Sequence, residues 1–174
     1  MEEIDIDATD IQLLDALQED SSLSNQALAA LVHVSPPTCL RRVRRLRDAG
    51  LIECEIAVLS PDRLAALLGH GLTALVEITL DRQDTDSLEA FEVRVVQDDA
   101  VQQCYRVSPG PDFVLVVHVA DMPQYLALAQ HLFTNDANVR NVKAFFSIKR
   151  AKFQPRLLLG APAGQRISLN KGKI

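Results

Sequence analysis

Five arginines within seven residues, Arg41-Arg42-Val43-Arg44-Arg45-Leu46-Arg47, carry the strongest chemical signal in this 174-residue sequence. A guanidinium is always charged, and its planar fork of donors matches a phosphate, or the O6/N7 edge of guanine, in bidentate fashion. Between Met1 and Ser60 no other Lys or Arg occurs, and the flanking segments are rich in Asp and Glu. The net charge of −5 argues against a protein that coats nucleic acid over its whole surface, because phosphate binding needs a positive footprint. Charge this concentrated implies a local docking patch, and the acidic remainder favours one orientation of approach.

On a helix, at about 100° per residue, Leu40, Val43 and Leu46 cluster on one side. Thr38, Arg41, Arg45 and Asp48 lie opposite, with Arg44 near them and Arg42 and Arg47 flanking the stripe. Such a helix suits the major groove of double-stranded DNA: central arginines reach base edges while flanking ones meet phosphates on either wall. Ser35, Pro37 and Thr38 fall at its start, where Ser35 and the helix N-terminus can hold a further phosphate. A solvated arginine-rich face is the plainer reading. Against it, no Glu stands three or four residues along the helix, and each like-charge pair costs about 0.2–0.5 kcal/mol, so an anion is expected there.

The elements that position this helix are legible upstream. Thr9-x-x-Gln12 has the form of a capping box ahead of an apolar stripe at Ile11, Leu14 and Leu17. Ser24 caps a second, short helix through Ala27, Leu28 and Leu31. Ser35-Pro36 starts the third helix, and Gly50 stops it. Three short helices with tight turns make a helix-turn-helix unit. Ile52–Leu59 alternates as an edge strand or wing hairpin would, and residues 62–70 read as a short helix and connector. Expected domain bounds are 1–60 for a winged helix-turn-helix, 61–70 for a linker, 71–150 for a second domain and 151–174 for a flexible basic tail.

In the second domain residues 71–80 alternate as a strand, with Ala74, Val76, Ile78 and Leu80 on one side and Thr73, Leu75, Glu77 and Thr79 on the other. Residues 84–96 carry Leu88, Phe91 and Val95 at helical spacing. Strands are expected over 101–107 and 113–119, joined through Pro109-Gly110-Pro111, and a helix follows Asp121 with Met122, Leu126, Ala129 and Leu132 on one face. Residues 139–148 close the pattern as a strand. The order β-α-β-β-α-β makes the fold class α+β, a ferredoxin-like antiparallel sheet with both helices on one face. Leu75, Cys104, Arg106, Val114, Val116, His118 and Phe145 are assigned to the uncovered face, and an apolar face of that size predicts a sheet-to-sheet dimer.

Other chemistries find little support. The acidic N-terminus is unlike a basic signal peptide, and no apolar run is long enough to span a membrane, so a cytoplasmic location is expected. Cys39, Cys54 and Cys104 are odd in number and widely spaced, so they read as small apolar fillers, with no metal or cofactor expected. His33, His70, His118 and His131 are scattered over different elements, with no Ser-His-Asp order or paired carboxylates. No catalytic residue is assigned.

The run Ser35-Pro36-x-x-Cys39-Leu40-Arg41-Arg42-Val43-Arg44-Arg45-Leu46, followed by Ala49-Gly50-Leu51-Ile52, resembles the recognition helix of the Lrp/AsnC, or feast/famine, regulators. Asp7-x-x-Asp10-x-x-Leu13-Leu14-x-x-Leu17 is similar to that family's opening helix, and the β-α-β-β-α-β block resembles its ligand-sensing (RAM) domain. The resemblance implies a prokaryotic transcription factor, a homodimer often assembled to an octamer, binding imperfect palindromes and answering to an amino acid or related metabolite. The effector turn of such proteins matches Val107–Phe113 here, with Asp112-Phe113 in place of the usual Asp-Tyr and Pro109 in place of the usual Gly. It implies that exposed N–H groups around Ser108 and Gly110 hold an effector carboxylate and that Asp112 holds its ammonium; the alternative is a purely structural turn. Met122 and Tyr125 either line the effector's side-chain pocket or belong to the core. Two alternatives share the architecture: an enzyme like the siroheme decarboxylases, and a sequence-tolerant architectural DNA-binding protein.

Overall fold

The computed structural model describes residues 5–69 and 71–160. The chain divides into two compact units: one holds the N-terminal residues to Ala57 together with the segment beginning at Phe153, and the other spans Val58–Lys152. The break between Ala57 and Val58 lies ahead of the expected 61–70 connector, most of which is itself helix.

The first unit contains helices α1 (Ala8–Glu19), α2 (Asn25–Leu31) and α3 (Pro36–Asp48). The start of α1 differs from the sequence expectation. Asp7, not Thr9, is the N-cap, and a reciprocal capping box joins it to Asp10. The Asp10 N–H donates to the Asp7 carboxylate at 3.0 Å, and the Asp7 N–H donates back to Asp10 at 3.1 Å. An Asp cap is at least as favourable as Thr, and the negative charge complements the helix dipole. Ser24 caps α2 as expected, accepting from the Ala27 N–H at 3.2 Å. The left-handed Gly50 (φ 72°) ends α3, donating to the Arg47 carbonyl at 2.8 Å.

Leu13, Leu28, Ala29, Val32, Cys39, Val43 and Leu46 form this unit's core. The inward faces of two helices are therefore rotated from those read in the sequence. On α2, Leu31 is exposed and Ala29 is buried in its stead. On α3, Cys39 takes the inward place assigned to Leu40, which is exposed. Residues 52–59 form no strand, so the expected wing is not present among the described residues. Ile56, Val58 and Leu59 are exposed there, and no partner strand satisfies their backbone. Cys54 is also exposed, so the filler role holds for buried Cys39 and half-buried Cys104 alone.

The segment from Phe153 packs back on α1. Arg156 donates to Glu19 at 2.6 Å and to Asp15 at 2.9 Å, and the Leu157 N–H donates to the Gln18 side chain at 2.7 Å. This part of the expected flexible tail is thus pinned by the acidic face of α1. Residues 161–174, the remainder of that expectation, lie outside the described residues, as do His70 and the acidic residues 1–4.

In the second unit, helix α4 (Pro61–Leu68) precedes strand β1 (Leu72–Leu80), helix α5 (Thr85–Val95), strands β2 (Val101–Arg106) and β3 (Phe113–Val119), helix α6 (Met122–Ala129) and strand β4 (Val139–Phe146). A π-helical turn, Gln130–Thr134, extends α6. The strands form one antiparallel sheet in the order β2-β3-β1-β4, the ferredoxin-like arrangement. Ala74, Val76, Ile78 and Leu80 meet Phe113, Leu115 and Val117 on one face of the sheet. Phe91 and Val95 from α5, and Tyr125, Leu128, Leu132 and Phe133 from α6 and its extension, cover that face.

Two assignments change. The buried face of α6 carries Tyr125 and Leu128, whereas Met122 and Leu126 are exposed. Tyr125, Leu128 and Leu132 keep one helical face at i, i+3 and i+7, and that face is turned away from Met122 and Leu126. Cys104 and Arg106 pair with Leu115 and Phe113 and so lie on the helix-covered face, because a bulge between Val101 and Gln103 shifts the alternation of β2. Arg106 there donates to Glu92 of α5 at 2.7 and 2.9 Å. Leu75, Val114, Val116, His118 and Phe145 occupy the uncovered face as expected, and Tyr105, opposite Val114, joins them.

Candidate nucleic-acid interface and effector turn

With Cys39, Val43 and Leu46 inward, the outward stripe of α3 runs through Pro37, Arg41, Arg44 and Asp48, with Leu40 and Arg47 along one edge and Thr38 and Arg45 along the other. All of these are exposed except half-buried Thr38. The exposed Leu40 (52%) was missed in sequence because its apolar character placed it inside. It stands among arginines, where an apolar group can meet a thymine methyl.

The arginines divide into two sets. Arg42 is largely covered and turns towards α1, donating to Asp7 at 2.8 Å and to Asp10 at 2.9 Å. Arg45 keeps 45% of its side chain exposed while one end donates to Asp10 at 2.5 Å. Arg47 pairs with Glu55. Arg41 and Arg44 make no ion pair among the described residues. The anion that the sequence demanded is thus supplied in part from inside the unit, by carboxylates more than thirty residues upstream. Contacts to Asp10 and then Asp7 raise the Arg42 pKa above its ordinary value. For Asp7, burial works against the charged form but is outweighed by the Asp10 N–H and the Arg42 guanidinium, which hold its carboxyl below the usual range.

The N-terminal end of α3 differs from the expected phosphate cradle. The Ser35 and Thr38 hydroxyls bond each other at 2.8 Å. Pro36 and Pro37 carry no N–H, so Thr38 is the first residue of the helix that can donate one.

In the second unit, Ser108, Gly110 and Asp112 share the hairpin between β2 and β3. The Ser108–Pro109 bond is cis and Gly110 adopts φ 128°, a conformation that favours glycine. Asp112 ties the turn to the end of β1: its N–H donates to the Ile78 carbonyl at 2.8 Å, and its carboxylate accepts from the Leu80 N–H at 2.7 Å and from Gln83 at 3.2 Å. Gln83 is a neighbour that the sequence did not offer, since nothing in a linear reading brings 83 to 112. Nearby, a groove of about 340 Å³ is lined by Asp81, Arg82, Arg94, Asp136 and Asn138 among others. Tyr125 lies in the core, edge-on to Phe146 at 5.1 Å. Met122 is exposed but follows the far end of β3, whose seven residues span about 20 Å, so within one chain it does not meet the hairpin. Of the histidines, His33 sits in the turn after α2, His118 bonds Thr73 at 2.9 Å on the sheet, and His131 lies in the π-helical turn.

An arginine-faced helix-turn-helix, joined on one chain to a separate antiparallel α+β domain, defines a DNA-binding transcriptional regulator. Residues 6–47 match the family model of the AsnC-type helix-turn-helix domain, and residues 73–157 match that of the Lrp/AsnC ligand binding domain. The leucine-responsive regulatory protein of Escherichia coli is 34% identical over 155 residues, covering 89% of this chain and 92% of that protein. An HTH-type transcriptional regulator of Haemophilus influenzae is 32% identical over 154 residues, covering 88% and 89%. A transcriptional regulator of Neisseria meningitidis, solved as its L-Met complex, superposes with a TM-score of 0.76 at 30% identity, covering 88% of this chain and 97% of that one. The chain belongs to the Lrp/AsnC family of transcriptional regulators.

Proposed function

We propose that the protein reads imperfect palindromes in double-stranded DNA as a homodimer, in the cytoplasm, and that an amino acid or related metabolite modulates it. The observation that carries this reading is the exposed stripe of Arg41, Arg44 and Arg45 on a helix tied to α1 through Asp10. In the proposed complex α3 lies in the major groove. Arg41, Arg44 and Arg45 reach base edges, Pro37, Thr38 and Leu40 add close contacts, and Ser35 and Arg47 approach the walls. Arg42, committed to α1, is left out of the phosphate contacts. Two half-sites about one helical turn apart match two recognition helices.

The dimer is proposed to form through the uncovered sheet face, where Leu75, Tyr105 and Phe145 are exposed and burial of apolar area favours association. Assembly of dimers to an octamer is part of the same proposal. That the effector is an amino acid is supported by the Neisseria meningitidis relative's complex with L-Met; its proposed site is the hairpin with Ser108, Gly110 and Asp112, where Gln83 joins the Asp112 carboxylate. Met122 contributes only if a second copy supplies it. No catalytic role is assigned.

The test is binding to a duplex selected from a random pool against a scrambled duplex across a salt series. Arg45→Ala should cost about 1–3 kcal/mol and relax preference at one base pair. Equal losses on both duplexes would favour a sequence-tolerant architectural protein, and tight tetrapyrrole binding without DNA binding would favour the enzyme.

A further inference from the structure

We infer that Asp10 is a positioning residue for base reading: it occupies Arg42 and Arg45 from within, keeps them from DNA phosphates, and so raises the preference for cognate over random DNA. The inference rests on the DNA-binding reading above and adds to it a residue that touches no DNA.

Asp10 is fully buried, the one charged side chain so placed among the described residues. A buried carboxylate is tolerated only when paired and hydrogen-bonded. Its Oδ1 accepts from Arg42 at 2.9 Å, and its Oδ2 accepts from Arg45 at 2.5 Å and from the Asp7 N–H at 3.1 Å. A carboxylate offers a guanidinium the same two-oxygen fork as a phosphate. Asp10 therefore stands, inside the unit, where a phosphate would otherwise stand.

The two arginines are affected differently. Arg42, also held by Asp7 and only 23% exposed, is withdrawn from the surface. Arg45 is anchored at one end and open at the other. Anchoring fixes a long side chain before DNA arrives, so less conformational freedom is lost on binding a base edge. A freely moving Arg45 could pair with any nearby phosphate, which carries no sequence information. One buried charge thus removes two cations from the sequence-independent attraction while aiming one of them.

The test uses the full chain and compares wild type with Asp10→Asn, a variant of the same shape that keeps an acceptor but loses the charge. Binding to the selected and scrambled duplexes is followed by fluorescence anisotropy over a potassium chloride series, with thermal melts to follow the fold. The expected result is an unchanged or increased affinity for scrambled DNA and a cognate-to-scrambled ratio lowered by about tenfold. The salt slope on scrambled DNA should steepen by about 1–2, because each phosphate engaged adds about 0.9. Equal losses on both duplexes with an unmoved slope would make Asp10 a fold clip and overturn the inference.

Arg42→Gln decides the matter if Asp10→Asn does not fold. Its slope on cognate DNA should match wild type, and a drop of about 0.9 would place Arg42 on a phosphate and refute its withdrawal. Failure of wild type to bind either duplex would instead remove the DNA-binding reading itself. A discriminating wild type with unresponsive variants removes the role of Asp10 alone.

Discussion

Replacing Asp112 separates two roles that the hairpin combines. In the free protein its carboxylate accepts the Leu80 N–H at 2.7 Å, at the end of the strand that lies second from the sheet edge, and Gln83 at 3.2 Å. Hydrogen bonds to a charged group contribute about 1.5–3 kcal/mol, and neutral ones about 0.5–1.5. Asp112→Ala leaves Leu80 without its acceptor, so a loss of about 2 kcal/mol is expected. With a urea slope of about 2 kcal/mol/M, that lowers the unfolding midpoint by about 1 M. Asp112→Asn retains an amide oxygen for the same N–H and should lose about half as much. The assay is urea unfolding by circular dichroism, without ligand and then with each amino acid at saturating concentration. If Asp112 also holds an effector ammonium, Asn should abolish the ligand-induced rise in midpoint while sparing most of the unliganded stability. An Asp112→Ala midpoint within about 0.2 M of wild type would refute the bracing role, since water would then be serving Leu80 equally well.

Phe113 is fully buried with its ring centroid 4.7 Å from that of Phe91 and the Arg106 guanidinium over its face, so Phe113→Ala should destabilise the second unit by about 3–5 kcal/mol, measured by denaturant unfolding. The Asp7 carboxyl titrates below its ordinary 3.8 in the folded chain. Its contribution is therefore complete above that value and is lost as pH falls through the lower folded value. Asp7→Asn should flatten the fall in melting temperature between neutral pH and pH of about 3. Leu40→Ala should leave the melt unchanged because the side chain is exposed. It should weaken cognate binding, and replacing thymine by deoxyuridine at one site position should weaken wild type but not the variant. Arg156→Ala should speed proteolysis within residues 153–158, and the difference from wild type should shrink in high salt, which screens its pairs with Asp15 and Glu19.

Element types were legible wherever period, cap and breaker agreed. Asp121, Ser24 and Gly50 each terminate a helix where the sequence places them, and the four strands of the second unit fall within a residue or two of their expected bounds. Helix faces were less legible, because the amphipathic stripe of α3 is wide enough to admit either Cys39 or Leu40, and tertiary contact selects the smaller. The bulge in β2 displaces the strand period by one residue and has no residue signature strong enough to announce it. The arginine patch was legible as charge but not as geometry. Asp7 and Asp10 were visible in the opening helix, yet only folding brings them against Arg42 and Arg45. The pairing of residues 52–59 failed as a prediction because alternation promises a strand only where a neighbour exists to complete its hydrogen bonds.

The docking of Leu157 on Gln18 spans 139 positions of sequence, with the whole second unit threaded between them. The first unit is consequently discontinuous. During synthesis α1, α2 and α3 emerge early, but the surface made by Asp15, Gln18 and Glu19 waits for a strand of chain that leaves the ribosome only after β4. A nascent regulator therefore holds a recognition helix long before its supporting helix has its full set of neighbours. A fragment cut after Ala57 would preserve that immature condition permanently.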